Sequence, residues 1–257
     1  MRLKSCLVSF ASVPLLLCGA SLTAQTTTTD NFSYNGNLGP GFWYTIAPAC
    51  APSPVSRQSP IDIDDVQEDP GLEALHLVIP ETTYTQRNTG YTVNVAPTDA
   101  GILVYRHEIY TLLQFHFHTL AEHTVEGRRG DMELHAVFQN DHNGHKEFVV
   151  VGVVFKIGRP NAQLEKLIEA GIPQLKDQVS DKLGRLNLNA VFTDISSYYT
   201  YAGSLTTPSC SENVRWIVLK HWAELSPEQF EAFRHVLGND FRPLQERNGR
   251  VIHATVK

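Results

Sequence analysis

Positive charge is scarce in this 257-residue chain: 21 Lys and Arg stand against 27 Asp and Glu, for a net charge of −6 with no basic cluster. That balance gives no support to nucleic-acid binding. Charged residues of both signs reach only 19%, against 42% hydrophobic, so disorder is not indicated and a sizeable core can form. Repeat periods and Pro/Gly/Ser linkers are missing, and nothing divides the chain into parts. An apolar tail is missing after Arg250-Val251-Ile252-His253, which argues against a membrane or GPI anchor there.

Cysteine is also sparse, and half of it falls in a segment that reads as removable. Arg2 and Lys4 precede an apolar run from Cys6 to Cys18, followed by the small residues Gly19-Ala20-Ser21 and Thr23-Ala24. Basic, apolar, then small is the layout of a secretory signal peptide, and the run is too short for a membrane span. Cleavage after Ala20 and after Ala24 both fit. Taking residues 1–24 as the signal and 25–257 as one domain, the expected product is secreted and more acidic by the loss of two cations. Cys50 and Cys210 then remain as a pair in an oxidising compartment, which reads as one disulfide. Asn31-Phe32-Ser33 is a glycosylation sequon.

Helical patterns are few. Asn161 can cap a short helix that Gly171 and Pro173 stop, and Ser226-Pro227-Glu228-Gln229 has a capping-box pattern ahead of Phe230, Phe233 and Leu237. Between Asn35 and Pro60 the text is Gly- and Pro-rich with scattered rings and reads as loop. Short apolar stretches alternate with turns elsewhere: 74–79, 91–95, 101–105, 110–118, 132–138, 147–157 and 214–220. The run Phe148–Phe155 is apolar on both faces and reads as a central strand buried from both sides. The expected fold is mainly β, with some α: a single domain around a large twisted, mostly antiparallel central sheet with a few short peripheral helices.

Against that plain background stands Gln114-Phe115-His116-Phe117-His118. In a strand, Gln114, His116 and His118 share one face and the two phenylalanines the other. The stretch Met132–Phe138 adds His135, with Glu133 on the same face. Three neutral imidazoles and no cysteine ligand suit one catalytic zinc ion with an open fourth position. Gln114 and Glu133 each lie two residues before a histidine and can hold its other ring nitrogen. Taken as His116-x-His118-x3-Glu122, the same stretch fits part of a cupin motif, but Tyr110 stands where that motif wants glycine and Gln139 where it wants asparagine.

Across roughly Phe32–Ala254 the chain resembles the α-class carbonic anhydrases. The residues that carry the likeness are Arg57–Ile63, Gln114–His118, Ala121-Glu122-His123-Thr124-Val125, Glu133-Leu134-His135, Gly203-Ser204-Leu205-Thr206-Thr207-Pro208, Trp216–Leu219 and Asn239-Asp240-Phe241-Arg242-Pro243. The resemblance implies that His116, His118 and His135 bind zinc and that zinc-bound hydroxide converts carbon dioxide to bicarbonate and a proton. It implies that Thr206 accepts a hydrogen bond from the hydroxide and gives its own proton to Glu122. Val137, Val150, Leu205 and Trp216 match the wall that receives carbon dioxide, and Thr207 lines its polar side. The secreted members carry one disulfide at positions like Cys50 and Cys210. Two departures concern this site: Thr119 replaces a tryptophan beside His118, and Tyr91 occupies the position of the histidine that passes protons to solvent in fast members. A tyrosine, with a pKa near 10, is a poor acceptor at neutral pH, so proton transfer is expected to be slow.

Overall fold

The computed structural model describes residues 31–142 and 144–256; residues 1–24, which read as a signal segment, lie outside the described residues. The frame is a mixed 13-stranded sheet. Its main path runs Val179–Ser180, Tyr84–Asn88, Val93–Pro97, Glu108–His118, Met132–His142, His145–Ile157, Val214–Leu219, Tyr198–Gly203, His253–Ala254 and Gln67–Glu68. Most neighbours are antiparallel. Parallel pairing occurs where His145–Ile157 meets Val214–Leu219 and Ala223–Leu225, and where His253–Ala254 meets Gln67–Glu68.

The His145–Ile157 strand sits inside the sheet, and Val149 through Phe155 are all buried, as its two-sided apolar text requires. Alternation then sorts side chains onto two cores. Phe115, Phe117, Leu134, Ala136, Val151 and Val153 join the larger one, over which the helices pack. Val137, Val150, Val154, Trp216 and Val218 build a second cluster on the other face.

Both expected helices form. Asn161 accepts from the amides of Gln163 and Leu164 ahead of Ala162–Glu169. Ser226 and Gln229 complete the capping box of Pro227–Leu237, and Gly238 ends it at φ 69°. The 35–60 segment is more ordered than its Gly/Pro text suggests, with 3₁₀ turns at Gly36–Leu38, Pro40–Thr45 and Pro48–Cys50. Two strands were hidden by polar residues. In Tyr84–Asn88 the inward positions include Gln86 and Asn88, whose amide donates to the Pro173 carbonyl at 2.9 Å. In Tyr198–Gly203 a buried Thr200 separates Tyr198 from Tyr201. The Met132–His142 strand runs four residues past its apolar text, because the ladder to His145–Ile157 continues through Asn140↔Glu147 and Asp141↔Lys146.

Cys50 and Cys210 form the disulfide, with Cα atoms 5.2 Å apart across 160 residues of sequence. Both are buried with Phe32, Trp43 and Ala47 in a small cluster. The bridge ties the N-terminal turns to the loop carrying Thr206 and Thr207, where the Cys210 amide donates to the Thr207 carbonyl at 2.8 Å. Replacing both cysteines by serine is expected to lower unfolding free energy by several kcal/mol, with an upper value of about 5 kcal/mol from chain entropy. Urea titration reads this, and a loss under about 1 kcal/mol would show that the packed ring cluster alone holds the loop.

Candidate metal centre

The three histidines meet because of register. Across the antiparallel ladder His135 faces His116 and Glu133 faces His118, while on the other side His135 faces Gly152. One ring nitrogen from each of His116, His118 and His135 lies within 4.8 Å of the others. Two of their outward nitrogens are hydrogen-bonded, and the third has a carboxylate beside it. His116 Nδ1 lies 2.9 Å from Gln114 Oε1, His118 Nδ1 lies 2.6 Å from the Asp240 carbonyl oxygen, and His135 Nε2 stands 3.0 Å from Glu133 Oε1. That leaves His116 Nε2, His118 Nε2 and His135 Nδ1 as the inward set. Burial, reinforced by the other histidines, holds His116 well below the ordinary imidazole range. Burial also lowers His135 to about 4, with Glu133 opposing it. Both rings are therefore neutral at pH 7, the form a metal requires.

The residues fit a metal ion by an independent sign. His118 Nε2 is buried without a hydrogen-bond partner among the described residues, an arrangement costly for a ring nitrogen unless something binds there. Three nitrogen donors without sulfur or a carboxylate cage suit zinc.

Glu133 does more than the sequence reading asked of it. Its Oε2 accepts from the amides of Glu122 and His123, both at 2.8 Å, and its Oε1 lies 2.7 Å from His123 Nδ1. Burial alone would raise its pKa, but His123 and His135 outweigh burial and hold the carboxyl well below its usual range. His123 Nε2 pairs at 2.8 Å with the Tyr201 hydroxyl, which donates to Ser59 Oγ at 2.9 Å. Ser59 Oγ in turn accepts from the Ser204 amide at 3.1 Å, two residues before Thr206. One buried chain thus joins a histidine of the metal set to the Thr206 loop.

Gly152 belongs to this arrangement. A Cβ there would stand 3.0 Å from Glu133 Oε1 and 3.5 Å from a Val218 methyl. Glu133 is pinned by its partners and cannot yield cheaply. Gly152→Ala is expected to weaken zinc affinity roughly 10- to 100-fold, as for loss of a ligand's support. Competition against a chelator of known affinity measures this, and unchanged affinity would refute it.

Glu122 is fully buried, with Oε2 3.6 Å from His118 Nε2. Burial pushes its carboxyl up to about 8, while the Arg242 amide, donating at 2.7 Å, and the neighbouring Thr206 side chain pull it down. Val137, Val150, Leu205 and Trp216 gather in one apolar cluster. The Trp216 ring lies 4.7 Å from the His135 ring, and its Nε1 donates to the Ser204 carbonyl at 2.9 Å. Thr207 is half-buried on the same loop. Tyr91 packs on Phe32 at 4.3 Å between centroids, in the cluster that holds Tyr34 and Trp43.

The structure thus brings His116, His118 and His135 to one point and gathers Val137, Val150, Leu205 and Trp216 in one cluster, and it adds three residues that had no assigned role. His123 and Asp240 were read only as parts of motif stretches, as was Arg242. Their roles depend on contacts over long sequence distances: Asp240 meets His118 across 122 residues and Arg242 meets Glu122 across 120. Asp240 also accepts from the Thr119 amide at 2.8 Å, so the residue standing where a tryptophan was expected is tied to the backbone that orients His118.

A large mixed sheet that delivers three buried or half-buried imidazoles to one point defines a site able to hold a metal ion. The family model for eukaryotic-type carbonic anhydrase matches residues 38–256. A carbonic anhydrase of Pectobacterium carotovorum is 33% identical over 242 residues, covering 92% of this chain and 96% of its own. Among solved structures, the α-carbonic anhydrase of Thermovibrio ammonificans in complex with the inhibitor sulfanilamide is 36% identical with a TM-score of 0.79, covering 86% of this chain and 98% of its own. The α-carbonic anhydrase of Photobacterium profundum is 35% identical with a TM-score of 0.80, covering 86% and 99%. The chain belongs to the α-carbonic anhydrase family and is a carbonate dehydratase.

Proposed function

We propose that His116, His118 and His135 hold one zinc ion and that the protein hydrates carbon dioxide to bicarbonate and a proton at that centre. The observation that carries this reading is the set of three ring nitrogens within 4.8 Å of one another, with Gln114, the Asp240 carbonyl and Glu133 standing behind the rings. Carbonic anhydrase itself supplies the reference magnitude for what zinc contributes when bound: a Lewis acid that lets water ionise at a pKa of about 7.

The chain's own residues would do the rest. Val137, Val150, Leu205 and Trp216 offer carbon dioxide an apolar wall with no competing hydrogen bonds, and Thr207 offers bicarbonate a polar one. Glu122, whose Oε2 lies 3.6 Å from His118 Nε2, would be kept ionised against the effect of burial by a dication held on the histidines. Ionised Glu122 accepts the Thr206 proton, so the Thr206 oxygen can only accept at the reacting water, which fixes the direction of that water's remaining lone pair. Gln114 and Glu133 keep their histidines in one tautomer and one ring plane. The proton must leave past Tyr91, which replaces the usual relay histidine with a group that does not accept protons at neutral pH. Action outside the cell fits the Cys50–Cys210 bridge, which persists in an oxidising compartment.

Removing metal with a chelator is expected to abolish carbon dioxide hydration, and adding back one equivalent of zinc to restore it. Stopped-flow hydration with a pH indicator measures both steps. Full activity in demonstrably metal-free protein would overturn the proposal.

A further inference from the structure

A second cluster of charge lies away from the metal centre. On Val214–Leu219 the residues Val214, Trp216 and Val218 face the metal-side cluster, so Arg215 points with Ile217 and Leu219 toward the other face. There it lines a cleft of about 270 Å³ together with Arg57, Arg106, Tyr110, Glu147 and Glu212.

Of the two carboxylates in this cleft, Glu212 is already engaged and Glu147 neighbours a tyrosine. Glu212 Oε1 accepts from the Arg57 amide at 2.7 Å and from Gln58 Nε2 at 2.9 Å, and its Oε2 stands 3.6 Å from Arg57 Nε. Glu147 lies beside the Tyr110 hydroxyl, whose pKa is raised first by burial and then by that carboxylate. Arg215 and Arg106 have no comparable partners: neither guanidinium makes a hydrogen bond or ion pair with a described residue, and Arg106 only lies over the Tyr105 ring at 5.5 Å. Half-buried and beside two other guanidiniums, Arg215 has its pKa lowered, first by burial. Two unpaired cations facing one cleft repel each other, and an anion between them would relieve that repulsion.

The backbone that presents Arg106 points the same way. Arg106 and His107 form the two-residue turn between Ile102–Tyr105 and Glu108–His118, with φ of 51° and 67°. Both sit in the left-handed region that hairpin turns usually fill with Asn and Gly. A long cation is an unfavourable choice there unless it has a task, and strain of this kind collects at ligand sites.

We infer that this cleft binds a small oxyanion, gripped between the Arg215 and Arg106 guanidiniums with Arg57 at its rim. The planar fork of arginine donates two parallel hydrogen bonds to a pair of oxygens, which selects carboxylate-, sulfate- or phosphate-like ligands over chloride. The site is separate from the metal centre and does not depend on the zinc reading.

Inorganic phosphate is the probe, titrated calorimetrically into the full-length zinc-loaded protein with chloride as control. One saturable phosphate site is expected. Arg215→Met, which keeps the apolar stem, should weaken it about tenfold or more, on the scale of one lost charge-assisted hydrogen bond. Arg106→Asn suits the turn better, so it should leave phosphate-free melting temperature unchanged or higher while weakening phosphate by a similar factor. Carbon dioxide hydration should be unchanged in both variants. Absence of saturable phosphate binding would overturn the inference. So would binding that survives both substitutions, which would place the anion at the metal or elsewhere.

Discussion

His135→Ala is expected to take carbon dioxide hydration to the uncatalysed background, a fall of at least about a thousandfold given the turnover of about 10⁶ per second that zinc supports in carbonic anhydrases. The loss has two physical parts. A metal held there would be left with two protein nitrogens, and Glu133 loses one of the groups that offset its burial. The second part costs stability, because a buried carboxylate short of a partner is destabilising. His135→Gln separates the two, since its amide can still donate to Glu133 while binding zinc poorly. Bound zinc, measured by atomic absorption, should fall in both variants, and melting temperature should fall further in the alanine variant. Wild-type hydration from either variant would rule out His135 as a ligand.

Tyr91→His should raise turnover in dilute buffer by up to about a hundredfold or more. The reasoning rests on where the proton goes. Reaction with bulk hydroxide at ~10⁻⁷ M and a diffusion limit of ~10¹⁰ M⁻¹s⁻¹ allows only ~10³ transfers per second. Faster turnover requires a relay group or added buffer, and an imidazole with a pKa near 6.5 both accepts and releases protons at neutral pH. The gain should therefore shrink as buffer concentration rises, because buffer replaces the relay. Replacing Tyr91 also removes its stacking on Phe32 at 4.3 Å, so a small loss of stability should accompany the gain. Wild-type turnover that is already high in dilute buffer, with no gain from Tyr91→His, would show that the proton leaves by another route.

These two positions illustrate different kinds of legibility. His116, His118 and His135 could be found from local text, because strand periodicity of two fixes which side chains share a face. The support from Gln114 and Glu133 was legible for the same reason: each lies on the same strand face, two residues from its histidine. Thr206, Thr207 and the apolar wall were found through likeness to a family, and the gathering of Val137, Val150, Leu205 and Trp216 into one cluster became visible only in the fold.

What the sequence determined by itself was the face each side chain takes, the ends of the two helices and the pairing of the two cysteines beyond residue 24. Each follows from short-range chemistry: strand alternation, side-chain caps at Asn161 and Ser226, or simple scarcity. Tertiary structure decided register and long-range partners. Only the pairing of His116 with His135 brings the three nitrogens within reach of one ion. Only the approach of the 238–242 segment puts the Asp240 carbonyl on His118 and the Arg242 amide on Glu122. Such contacts join residues more than a hundred positions apart through backbone groups, which every residue carries alike. No side-chain pattern in the sequence could mark them, because the partner is chosen by the path of the chain.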